Sequence, residues 1–255
     1  MSNLAILQRY ARTSPEALPA SILFKHSARN LVIFDAFPKA IFHFLILPRI
    51  QEPRLNADVL TDLRTLVSGD KELAKEVITS LEEEAKEVKK EIEDEMVDRY
   101  GFKWDVWTGF HGAPSMVHLH LHVISADLCS DKLKTKKHYN SFHPKLGFFM
   151  HMEEVLSWFE ADPTFFSARV KQLKPSKSEP LLKEKLFCFH CEAEMKNMPS
   201  LKAHLQEEWN KLEKRRKESA KRKRKLDELR QAASQSVTSD DSQGDSSTSS
   251  KKAKS

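Results

Sequence analysis

Residues 117–125 read VHLHLHVIS, with His118, His120 and His122 alternating with Leu119, Leu121 and Val123. Alternate residues of a strand share a face, so the spacing predicts three imidazoles on one side and three aliphatic side chains in a core. An ordinary core-facing or solvent-facing strand does not select three imidazoles in register, so the pattern points to chemistry. Two chemistries fit. A strand His-x-His pair can ligate zinc, given a further His or carboxylate and an open position for water. Alternatively, a central imidazole attacks phosphorus while its neighbours fix its tautomer and contact phosphate oxygens. Just upstream, His111-Gly112-Ala113-Pro114-Ser115 supplies another imidazole, a tight turn whose N–H groups can cradle an anion, and a hydroxyl donor, which favours the second.

Working outward, Trp104 to Phe110 forms a second strand, separated from the histidine strand by the turn residues Gly112, Pro114 and Ser115. Between Ser21 and Pro48, SILFKHSARNLVIFD and AIFHFLILP read as two adjacent antiparallel strands. From about 56 to 100 the pattern is helical, with Leu73, Val77, Leu81, Ala85, Val88, Ile92 and Met96 at three- and four-residue steps. GFFMHMEEVLSWF reads as a strand entering a short helix. The fold class is α+β, with a catalytic region over 1–170, a Pro, Ser and Lys-rich linker over 171–180, a cysteine-bearing module over 181–212 and a disordered tail over 213–255.

The formal net charge of +5 on 255 residues excludes a histone-like polybasic chain, and 40% hydrophobic content suffices for a core. Charge is distributed unevenly. Residues 70–99 hold 12 acidic against 6 basic side chains, and residues 211–230 hold 11 basic against 4 acidic. Three cysteines, two of them two residues apart, read as metal binding in a reducing compartment rather than as a disulfide framework. No apolar run reaches 18 residues and the N-terminus lacks a signal-peptide pattern, so the expectation is an intracellular protein with no membrane partner.

HLHLHVI, with IFDAFPKAIFHFLILP upstream, resembles the histidine-triad superfamily, and a third histidine at 122 resembles its hydrolase branches. GFHGAPSMVHLHLHVIS, followed by KTKKHYNSF and a zinc module, is similar to the DNA-deadenylating branch. The resemblance implies the histidine-triad fold, an antiparallel sheet with flanking helices, followed by a C2HE finger. It implies a hydrolase that removes AMP from 5′-adenylated DNA left by abortive ligation, acting as a monomer on double-stranded DNA and releasing AMP. His120 would be the nucleophile and His111 the proton donor, with His118 and His122 contacting phosphoryl oxygens. Two imidazoles tuned apart in pKa would serve as attacker and acid. Asp35 would hold the ribose, Lys39 and His43 would face the AMP phosphate and pocket, and Ser115 would donate to a phosphate oxygen; no catalytic metal is expected. The branch also uses an N-terminal helix as a wedge at the DNA end, for which Leu4, Leu7 and Tyr10 would be the apolar face. The alternatives are a generic dinucleoside polyphosphate or nucleoside phosphoramidate hydrolase, and a non-catalytic nucleic-acid-binding adaptor.

Cys188-x2-Cys191-x12-His204 has the spacing of a zinc finger, and Glu208, one helical turn after His204, can supply a carboxylate as fourth ligand to a structural Zn2+. Lys202 beside Trp209, and Lys136, Lys137 and His138 in the loop after the histidine strand, are expected to contact DNA phosphates. The run EKRRKESAKRKRK resembles a bipartite nuclear localisation signal, which predicts a nuclear protein.

Overall fold

The computed structural model describes residues 3–240. Its centre is a six-stranded antiparallel sheet in the spatial order β1 (Leu23–His26), β2 (Asn30–Phe34), β3 (His43–Pro48), β5 (Leu121–Ser125), β4 (Val106–His111) and β6 (Phe149–His151). After a short helix α1 (Ile6–Arg12), β1 (Leu23–His26), β2 (Asn30–Phe34) and β3 (His43–Pro48) form a meander. The first apolar run is therefore two strands rather than one. Ser27 N–H donates to the Asn30 carbonyl, and the Ser27 hydroxyl accepts from Asn30 N–H, making a turn with no Gly or Pro to announce it.

Two helices follow, α2 (Leu63–Ser68) and α3 (Lys71–Tyr100). Asp62 and Asp70 cap them by accepting from Thr65 N–H and Leu73 N–H, and Gly101, at φ +79°, closes α3 in the left-handed region that glycine tolerates. The seven periodic residues of α3 are all buried, and the helix packs on β2, β3 and β5. β4 (Val106–His111) and β5 (Leu121–Ser125) pair through Val106–Ser125 and Gly109–His122. A short helix α4 (Lys136–Asn140) leads to β6 (Phe149–His151), α5 (Met152–Glu160), α6 (Pro163–Gln172) and α7 (Pro175–Ser178).

Residues 171–180 are thus no free linker. Leu173 and Ser178 are buried, and a Cβ on Gly112 would meet the Ser178 Oγ at 2.6 Å, so this segment lies directly on the turn after β4. The cysteine module, β7 (Leu186–Phe187), β8 (Glu194–Met195) and the start of α8 (Met198–Asp240), shares a core with the sheet. Leu186, Cys188, Leu201 and Leu205 pack in one cluster with Ile124, Tyr139, Phe142 and Phe149. Residues 1–210 accordingly form one compact unit, with no boundary at 171–180.

The tail from 213 also differs from expectation where it is described. Residues 213–240 continue α8. Lys, Arg, Glu, Leu and Ala are good helix formers, and Glu213 pairs with Lys217 four residues on at 2.7 Å. The rest of the expected disordered tail, 241–255, lies outside the described residues. Among the described residues no helix is long and apolar enough to cross a membrane.

Candidate active site and metal centre

A cavity of about 1030 Å³ opens beside the C-terminal end of β4 and the start of β5, lined by His111, His120 and His122. Asp35, Phe37, Lys39 and Leu45 lie along one wall, the turn from Gly112 to Met116 forms another, and Lys132, Lys134, Lys137 and His138 form a basic rim. The chain therefore gathers Asp35, Lys39, His111, Ser115, His120, His122, Lys137 and His138 as the sequence suggests.

The local backbone departs from a uniform histidine strand. Regular pairing begins only at Leu121, and His118 stands at φ +97°. The His118 ring, fully buried, donates from Nε2 to the Pro48 carbonyl at 2.8 Å and is not a cavity wall. The expected contact of His118 with phosphate oxygens is replaced by a backbone role: its carbonyl lies 2.8 Å from His120 Nδ1. A carbonyl only accepts, so His120 carries its proton on Nδ1 and its lone pair on Nε2.

A second chain of bonds fixes His122. The backbone N–H of Lys39 donates to His43 Nδ1 at 3.1 Å, so in neutral His43 the proton sits on Nε2. That Nε2 faces His122 Nδ1 at 3.0 Å and the Asp35 carboxylate at 3.5 Å. His122 must then accept at Nδ1 and carry its proton on Nε2, a buried nitrogen without a protein partner. The pairing of Leu45 with His122 and His43 with Ile124 sets this register. Donor atoms of Asp35, His43 and His122 all lie within 4.8 Å of one another, as links of this chain. His43 itself lies behind the cavity wall.

Burial dominates the electrostatics. It pushes His43 and His118 down to about 4, and lowers His111, His120 and His122, with neighbouring imidazoles adding to the effect for His111 and His122. Desolvation thus lowers both the expected acid and the expected nucleophile in the protein alone, His111 further than His120. His111 lies 4.2 Å ring to ring from His122 and keeps a buried Nε2 without a hydrogen-bond partner, and the backbone of Ser141 offsets part of its lowering. Desolvation also lowers Lys39, whose Nζ donates to the Phe37 carbonyl.

The remaining candidates are placed less simply. Lys136 is exposed on α4 but lies off the cavity wall, and Lys202 sits 3.7 Å from Asp131. Trp209, beside which Lys202 was placed, packs edge-on to Tyr100 and Trp104. Leu7 is buried in a cluster with Leu31, Ile33 and Leu47, and Tyr10 packs against it, leaving Leu4, 53% exposed, as the free part of the N-terminal apolar face. Sequence reasoning missed Arg64, Leu173, Glu179 and Lys183 on the cavity wall. Only tertiary folding brings α2 and the 173–183 segment there, so no local signal marked them.

Cys188 Sγ, Cys191 Sγ and a His204 ring nitrogen lie within 4.8 Å of one another, with Cys191 3.3 Å from His204 Nε2. The thiol spacing is made by a knuckle in which Cys188 N–H donates to the Ala193 carbonyl and Glu192, at φ +60°, turns its N–H onto the Cys188 carbonyl. Two thiols and an imidazole form a donor set that fits zinc. Glu208 lies one turn beyond His204 on α8, half-buried.

The sheet and its histidine cluster are those of a histidine-triad protein with a finger folded onto it. Residues 8–138 match the family described as scavenger mRNA decapping enzyme C-term binding, and residues 145–211 match the C2HE / C2H2 / C2HC zinc-binding finger. An aprataxin-like protein of Saccharomyces cerevisiae is 32% identical over 214 residues, which is 78% of this chain and 92% of that protein. The chain belongs to the aprataxin family. A Drosophila melanogaster aprataxin-like protein is 38% identical over 179 residues, 69% of this chain but 22% of that protein, and the chain spans less than half of the Ciona intestinalis aprataxin. A solved aprataxin ortholog, Hnt3 in complex with DNA, superposes with a TM-score of 0.59 at 25% identity, covering 84% of this chain and 98% of the other.

Proposed function

We propose that this protein is a DNA-repair hydrolase that releases AMP from 5′-adenylated DNA ends through a covalent histidine–AMP intermediate. The observation that carries the reading is the His120 Nδ1 contact with the His118 carbonyl, which leaves the Nε2 lone pair of a neutral imidazole in a cavity with a basic rim.

In the first step the Nε2 lone pair forms a bond to the AMP phosphorus, and the bond from that phosphorus to the oxygen of the DNA 5′-phosphate breaks. The leaving oxygen takes a proton from His111. His111 is neutral in the protein alone, and an anionic phosphate beside it raises its pKa and supplies the reason for it to hold that proton. His122 donates from Nε2 to a phosphoryl oxygen, a bond for which its tautomer is already fixed. His111, now neutral, accepts a proton from water as the water oxygen bonds to phosphorus; the His120–phosphorus bond breaks and AMP leaves.

Asp35 accepts from the ribose hydroxyls, and Ser115 with the Gly112 turn faces the phosphate. Lys137 and His138 contact the DNA backbone, and Lys136 and Lys202 extend that surface. Zinc, held by Cys188, Cys191 and His204 with Glu208 as fourth ligand, supplies a cross-link that stabilises the finger. The route uses no catalytic metal. The relative solved with DNA supports a DNA substrate. The 211–230 basic run supports a nuclear location.

The test is incubation of a 5′-adenylated nicked duplex with the protein and with His120→Ala. AMP release by the wild type, a trapped protein–AMP adduct, and loss of both in the variant are expected. Equal turnover by the variant would overturn the mechanism.

A further inference from the structure

We propose that Tyr139 is a positioning residue, tying the zinc knuckle to the catalytic imidazoles through α4. This rests on the reading of His111, His120 and His122 just given.

Four consecutive residues of this chain face four different things. Tyr139 is fully buried; its hydroxyl donates to the Phe187 carbonyl at 2.7 Å and accepts from Phe189 N–H at 3.1 Å, gripping the residues on either side of Cys188. Asn140, also fully buried, donates from Nδ2 to the Glu184 carbonyl at 2.9 Å. Ser141 lines the same cavity as His111, and its backbone offsets part of the lowering of that imidazole. The Phe142 ring stands 4.7 Å from that of His111, 5.1 Å from that of His122 and 5.2 Å from that of His43. α4 has only five residues and is capped by the Thr135 hydroxyl, which accepts from His138 N–H. A helix this short has little stability of its own, so its position is set by what its ends hold.

The metal knuckle is at one end of this tie and the imidazoles are at the other. Cys188 packs in the same cluster as Tyr139 and Phe142. Displacing the knuckle moves the Phe187 and Phe189 backbone, Tyr139 follows through its two hydrogen bonds, and Ser141 and Phe142 shift against His111 and His122. The finger therefore acts on the chemical step as well as on holding the duplex. A catalytic array is sensitive to small shifts, since a misplacement of about 1 Å can cost about 10²-fold in rate.

The variant Tyr139→Phe keeps the ring and removes only the hydroxyl. Two readings are taken on the full chain with zinc bound: the single-turnover rate at saturating 5′-adenylated duplex alongside duplex affinity, and the imidazole nitrogen chemical shifts of His111 and His122 by NMR. The expected result is a rate lower by about tenfold with affinity within about twofold, and moved His111 and His122 signals. Metal-stripped wild type should move the same signals in the same direction. Weakened affinity with an unchanged rate, or unmoved imidazole signals, would overturn the proposal and leave the finger as a DNA grip alone. If Tyr139→Phe does not fold, Asn140→Ser, which cuts the neighbouring tie, is read in the same way. Absence of turnover by the wild type would refute the proposed reaction, while the imidazole signals would still decide the tie.

Discussion

The His122 Nδ1 lies 3.0 Å from His43 Nε2, and the proton between them belongs to His43 because a backbone N–H occupies the other side of that ring. Replacing His43 by Phe removes the donor and frees His122 to place its proton on Nδ1, turning its cavity-facing nitrogen from donor to acceptor. The rate of AMP release should fall by about 10²–10³, the range for one lost oxyanion-type donor. The measurement is single-turnover kinetics, with the His122 nitrogen shifts reporting the tautomer; a rate within twofold of wild type would contradict the assignment.

Stability should fall on acidification below neutrality. His43 and His118 are held at about 4 in the folded chain, against about 6.5 unfolded, so the unfolded state binds protons first. The contribution is fully present above pH 6.5 and is lost as pH falls from there toward 4. Each group loses about 2 kcal/mol of stability between pH 7 and 5. Thermal unfolding followed by calorimetry should show a midpoint lower by roughly 5–15 °C at pH 5 than at pH 7. An unchanged midpoint in the His43→Phe and wild-type pair across that range would refute the burial argument.

Gly112→Ala places a methyl 2.6 Å from the Ser178 hydroxyl and 3.1 Å from its Cβ. The 175–178 turn must move off the cavity wall, costing about 1–3 kcal/mol of overpacking. Removing both atoms with Ser178→Gly in the same chain should recover much of the lost thermal stability. Additive destabilisation in the double variant would mean the clash is relieved elsewhere.

Trp209→Ala should destabilise the protein by about 3–5 kcal/mol, the usual cost of deleting a packed aromatic ring, because Trp209 meets Tyr100, Phe102 and Trp104. The slope of duplex affinity against salt should not change. Lys137→Ala should do the reverse, leaving stability intact and reducing that slope by about one phosphate contact. A lower salt slope for the Trp209 variant would place it on the DNA after all.

Metal analysis of the purified protein should find one zinc per chain, and Cys191→Ser should lose it. Glu208→Ala should weaken retention against a competing chelator by about 10–100-fold while Glu207→Ala does not. Equal retention by both variants would remove Glu208 from the ligand set.

Much of this architecture was legible where the signal is local. The periodicity of α3 gave its buried face residue by residue, and the Cys188, Cys191 and His204 spacing gave the three donors that meet. His120 and His122 share the cavity as their alternation suggests, whereas His118, in the same alternation, turns away to the Pro48 carbonyl. Features created by tertiary contact were not legible. Residues 171–180 have a loop's composition, yet Leu173 and Ser178 are buried because the turn at Gly112 offers them a surface. The bond from His43 to His122 depends on a register between strands nearly eighty residues apart, which no window of sequence contains. The Tyr139 grip on Phe187 and Phe189 is long-range in the same way.

The cluster that joins Phe142 and Phe149 to Leu186 and Leu205 has a mechanical consequence. With no hinge between finger and cavity, the angle between the two surfaces is set like that of a fixed jaw. A ligand long enough to reach both would meet them at one fixed angle. Rigidity in the protein thus fixes how those two surfaces are placed for anything that meets both.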